Sequence, residues 1–257
     1  MTIWKKLRQW SRLFYLIAFL ALVGLFSTAM WSKKATSAEE IIIDIEPTVE
    51  GGYLLTTNEV KKMLTDKIRK PGAQNLSRVP VSAMEDLIQK HPLVERADVY
   101  IDARNRIKVR IEQPEPVIRI IDRRGANYYI SDKRKKIPLS RHFTPRVPVA
   151  TGDIPMWEDS LALKPGNAIS ALYELAELMQ TDDFMGALVE QIDIKDGVIS
   201  LVPKMGKFKI VLGDCRQLTS KVSRLKTFYK GILPTKGWDA YKLVDLRYKD
   251  QVVCRKV

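Results

Sequence analysis

The side chains able to do chemistry are few and scattered. There are two histidines, His91 and His142, and two cysteines, Cys215 and Cys254. His142 stands in a basic, proline-rich stretch with no patterned nucleophile to activate, and His91 falls at the end of a predicted helix on its apolar face. Two histidines and two separated cysteines do not make the close ligand clusters of a structural zinc site, so no metal is expected. A bridge between the thiols stays open, because sequence does not give their separation in space. The carboxylate neighbours Glu39-Glu40 and Asp182-Asp183 read as a linker and a helix-end turn. Acid–base pairs work instead from separate elements that face one gap. No GxSxG, HExxH, Walker A or GxGxxG pattern occurs, and neither enzyme activity nor a cofactor is expected.

Charge and hydropathy shift attention from catalysis to location. The 257 residues carry 43 Lys and Arg against 30 Asp and Glu, a net charge of +13. Such a surplus suits nucleic acid, or anionic lipid and cell-surface polymers. Leu13 to Trp31 contains no charge. At a rise of about 1.5 Å per residue, about nineteen helical residues cover roughly 28 Å, the thickness of a bilayer core. Trp10, Phe14, Tyr15 and Trp31 mark its two ends, and Lys5, Lys6, Arg8 and Arg12 precede it. The reading is therefore a cytoplasmic tail (1–12), a transmembrane helix (13–31), a linker (32–40) and a body outside the cytoplasm. Lysines between the apolar run and the small residues Thr36-Ser37-Ala38 argue against a cleaved signal peptide. Export removes nucleic acid from the expected partners.

The body reads as two α+β domains. In the first, residues 41–116, Ile41–Glu46 is a predicted strand. Thr56 and Glu59 form a capping box that opens a helix with Val60, Met63, Leu64 and Ile68 on one face, ended at Pro71-Gly72. A second helix runs from Val81 to Lys90, and alternating strands at Ala97–Ile101 and Ile107–Ile111 flank a turn at Ala103-Arg104-Asn105. The order is β-α-α-β-β.

The second domain, residues 117–257, is expected to be mainly antiparallel sheet with two helices. Strands are read at Val117–Asp122, Tyr128–Ile130, Lys207–Leu212, Tyr241–Arg247 and Gln251–Lys256, with a hairpin about Asp196-Gly197. Helices are read at Asn167–Gln180 and Leu218–Ile232, and Pro138 to Pro155 is read as loop.

A span followed by β-α-α-β-β resembles the POTRA module, and four motifs narrow the resemblance to the bacterial FtsQ/DivIB family. They are His91-Pro92-Leu93-Val94 through Val99, with Leu93 where the family has an aromatic; Val109–Val117, with Gln113 in place of a basic residue; Val147–Gly152; and Val244-Asp245-Leu246-Arg247-Tyr248, followed by Gln251-Val252-Val253. The resemblance implies a non-enzymatic divisome scaffold in the inner membrane at the septum. Its partners would be FtsB-like and FtsL-like membrane proteins, with no small-molecule substrate. An edge strand near the chain's end could take a partner's extended segment, so the expected partner-binding residues are Arg247, Tyr248, Gln251, Val252 and Val253, with Leu225 and Tyr229 from the preceding helix. The last strand is expected to be a sheet edge, and Asp245 and Arg247 to form an ion pair. A membrane-anchored surface enzyme is the alternative.

Overall fold

The computed structural model describes residues 41–67, 80–104, 106–159, 164 and 166–257. The apolar segment Leu13–Trp31, Ile68, Pro71-Gly72 and Asn105 lie outside them. Among the described residues no helix is long and apolar enough to cross a membrane. The described residues divide into two compact units, one built from those within 41–45, 56–91 and 96–111, the other from those within 46–55, 92–95 and 112–257.

The first unit begins with β1 (Ile41–Ile45), then α1 (Thr57–Lys67), α2 (Val81–Gln89), β2 (Arg96–Ile101) and β3 (Ile107–Glu112), the order read from sequence. Its sheet runs β1-β3-β2, with β1 parallel to β3. The capping box forms as the residue types require: Thr56 Oγ1 accepts from the Glu59 N–H at 3.3 Å, and Glu59 Oε2 accepts from the Thr56 N–H at 3.0 Å. Val60, Leu64, Met84 and Ile88 turn inward, as do Val99, Val109 and Ile111 on the strands. Helices this short are marginal alone and depend on that packing.

The second unit is one nine-stranded sheet, ordered β12-β11-β10-β9-β8-β7-β4-β5-β6. Its strands are β4 (Pro116–Asp122), β5 (Asn127–Ser131), β6 (Lys136–Ile137), β7 (Val149–Gly152), β8 (Val189–Lys195), β9 (Val198–Pro203), β10 (Lys209–Gly213), β11 (Tyr241–Asp245) and β12 (Val253–Lys256). Antiparallel pairs dominate, but β4–β7, β7–β8 and β10–β11 are parallel. The β8–β9 hairpin turns through Asp196 (φ 51°) and Gly197 (φ 75°), the left-handed pair that an Asp-Gly turn supplies.

Three elements correct the sequence reading. Val149–Gly152, expected as loop, is β7, paired on both sides in mid-sheet. Four residues beside Pro148 give too little alternation to identify, and the neighbouring strands decide their conformation. Two helices were expected, and α3 (Ala168–Thr181), capped by Asn167, is one of them. A short α4 (Asp183–Leu188) follows it, with Asp182 Oδ1 accepting from the Met185 N–H at 3.1 Å. The long helix expected over Leu218–Ile232 is α5 (Leu218–Thr227), a π turn (Phe228–Ile232) and α6 (Leu233–Lys236). Pro234 has no N–H to donate, and its ring crowds the carbonyl four residues back, so regular α geometry does not continue there.

Gln113 does what a basic residue at this position would not do. Its Oε1 accepts from the N–H groups of Leu54 (2.6 Å) and Leu55 (3.1 Å), while Nε2 donates to Glu46 O at 2.7 Å. Lysine and arginine are donors only, so neither could accept those two bonds.

Candidate partner-binding edge

The last hairpin is shaped by side chains that compete with its ladder. Strand β11 was expected to reach Arg247 but stops at Asp245. The buried Asp245 carboxylate accepts the Arg247 N–H at 3.0 Å, which turns the chain out of the sheet. The same carboxylate takes the Arg247 guanidinium, with Nη2 to Oδ2 at 2.6 Å and Nε to Oδ1 at 3.0 Å. This is the expected ion pair. Burial by itself would push the Asp245 carboxyl up, but the bonds from Arg247 outweigh it and hold the group below the usual carboxylate range. Gly213 (φ 81°) leaves room for the arginine stem, since a Cβ there would lie 2.8 Å from Arg247 Cγ.

From Leu246 the chain crosses a turn that α5 holds in place. The Arg224 guanidinium donates to Tyr248 O at 2.6 Å, to Leu246 O at 3.1 Å and to Gln251 O. Asp250 occupies the left-handed region at φ 54°, which aspartate tolerates, and β12 then runs back antiparallel to β11.

The outcome is a sheet edge. Leu246 N–H bonds Val211 O on the β10 side, and Val257 N–H bonds Ala240 O. Alternation along both strands therefore turns the N–H groups of Val253 and Arg255 toward β11 and those of Cys254 and Lys256 outward. No described residue pairs with that outer side.

Beside the edge lies a cleft of about 510 Å³ between α5, the π turn and the terminal segment. Phe228, Ile232, Val252 and Cys254 give it apolar walls, and Arg224 lies among the lining residues. Phe228 is itself fixed by edge-on contacts with Phe208, Tyr229 and Tyr241. The surroundings are basic: from Arg216 to Val257, eleven Lys and Arg stand against three Asp and no Glu.

The expected partner-binding residues fall into two groups. Tyr248 is 52% exposed, Val253 is 41% exposed, Arg247 and Gln251 are exposed, and Val252 lines the cleft. Leu225 and Tyr229 are buried, at 0% and 7% exposure. They hold the helix from beneath and present no surface to a second molecule as the domain stands. A contiguous apolar stripe does not say which of its members faces outward at the helix end. Arg224 and Ile232, which do line the cleft, are not among the residues expected from the sequence.

Cys215 and Cys254 are both free thiols, and burial pushes the Cys215 thiol up to about 12. Among the described residues no group of three or more His, Cys, Asp or Glu is placed to hold a metal.

An exposed sheet edge of this kind is the feature to which proteins that bind by strand addition take a partner's extended segment. Comparison with known families places the chain. The family described as "FtsQ/DivIB, C-terminal related" matches residues 115–255, and "POTRA-like domain" matches residues 36–112. The first match spans more than half of the chain, and the chain belongs to the FtsQ/DivIB family of non-enzymatic cell-division proteins. No curated protein matched the sequence.

Proposed function

We propose that this chain is a scaffold of the bacterial division machinery that recruits FtsB-like and FtsL-like membrane proteins to the septum by adding a partner's extended segment to β12. The observation that carries this reading is the pair of outward N–H groups on Cys254 and Lys256, next to an apolar cleft. Backbone bonds along the edge would supply affinity, and the cleft would select a side chain of the added strand. Tyr248 and Val253 extend the contact surface beyond the ladder. In this reading Leu13–Trp31 anchors the chain in the inner membrane, with the N-terminus in the cytoplasm and both units outside.

A direct test compares residues 33–257 with the same chain ending at Tyr248, each offered the outer segments of FtsB-like and FtsL-like proteins in a pull-down. Binding by the longer form and not by a folded shorter form, checked by circular dichroism, supports strand addition at β12. Undiminished binding by the shorter form sinks it.

A further inference from the structure

The β2 edge of the first unit is long enough, at six residues, to accept a foreign strand. On its inner side Asp102 N–H pairs with Arg106 O of the β3 hairpin at 2.9 Å. The N–H groups of Ala97 and Val99 point the other way, by alternation along the strand. Both are occupied. Gln89 Oε1 accepts from Ala97 N–H at 2.9 Å, and Glu85 Oε2 accepts from Val99 N–H at 3.0 Å.

The spacing makes this a matched pair. Glu85 and Gln89 sit four residues apart on α2, about 6 Å along its axis, and alternate residues of a strand lie about 6.6 Å apart. Two side-chain oxygens therefore fall on two successive outward donors, where a neighbouring strand would place its carbonyls. Val99 and Ala97 are otherwise buried beneath the helix, so the bonds are made on a rigid face.

We propose that Glu85 and Gln89 are an edge guard. They occupy the donor side of β2 in place of a strand and so prevent two copies of this chain from pairing β2 against β2. The two ends of the nine-stranded sheet differ from this edge: β6 has only two residues, and the outward donors of β12 carry no cap from a described residue. Natural sheets that must not associate are protected at their edges in such ways.

Hydrogen exchange on the full-length protein in detergent tests the guard without any partner, so its result is independent of whether β12 captures a strand. In the wild type, the Ala97 and Val99 amides should be protected like those of the central strand β3, at least about tenfold more than the outward amides of Cys254 and Lys256. Equal, fast exchange at all four positions overturns the proposal. With Glu85→Ala and Gln89→Ala together, the two amides should lose that protection while β3 keeps its own, and sedimentation should show concentration-dependent dimers. The exchange pair Glu85→Gln and Gln89→Glu, which keeps both acceptors, should stay protected and monomeric. Dimers in that variant as well, or a folded double-alanine variant that stays monomeric, would show that the two side chains guard nothing.

Discussion

The Arg224 guanidinium reaches the carbonyl oxygen of Tyr248 at 2.6 Å across 24 residues of sequence. With its bonds to Leu246 O and Gln251 O, it ties the turn before β12 to the side of α5. Position of the edge thus depends on a side chain that need not touch a partner.

Arg224→Ala should therefore loosen the turn before it affects the core. Three carbonyls lose a charged donor, at roughly 1.5–3 kcal/mol for a bond to a charged group, with water replacing part of it. Hydrogen exchange should quicken in residues 246–256 and not in β8 or β9, and partner affinity should fall with it. An unchanged exchange pattern would show that the turn is set by Asp245 alone.

Cys254→Pro, compared with Cys254→Ala, isolates the outward donor. Alanine keeps the N–H and proline removes it, while the inward bonds of Val253 and Arg255 remain. Loss of partner binding in the proline variant alone, with both variants folded, is the expected result. Equal binding by the two would mean that the edge takes no strand.

Tyr248→Ala and Leu225→Ala should separate recognition from support. The exposed tyrosine can be removed with little effect on melting but a measurable loss of affinity. The buried leucine should cost about 2–5 kcal/mol of stability, and any binding defect should track unfolding. A Tyr248→Ala protein with native affinity would exclude that side chain from the interface.

Acid should weaken the Asp214–Lys221 contact in a defined window. Bonds from Lys221, at 2.8 Å, chiefly hold the Asp214 carboxyl down at about 2, below its ordinary 3.8. Because the folded value is the lower one, the contribution is complete above the ordinary value and disappears as pH falls toward about 2. Asp214→Asn should melt with a shallower pH dependence over that range than the wild type. Identical profiles would place the acid sensitivity elsewhere.

Much of this was legible locally. The Thr56–Glu59 box and the Asp196-Gly197 turn are written in neighbouring residues, and each formed. What could not be read depends on neighbours distant in sequence. Strand β7 is a strand because β4 and β8 flank it. The end of β11 is set by Asp245 bonding its own backbone rather than by any loss of β propensity. Which residues of Leu218–Ile232 face the cleft depends on the π turn, which shifts the helical phase by one residue.

The β11–β12 hairpin joins the remaining strands through a parallel ladder of three register pairs, against six between β8 and β9. A segment bound along β12 would transmit any mechanical load sideways, through that ladder and on toward β4. Parallel pairing is the weaker kind per residue, so tension would meet a compliant joint one strand in from the surface.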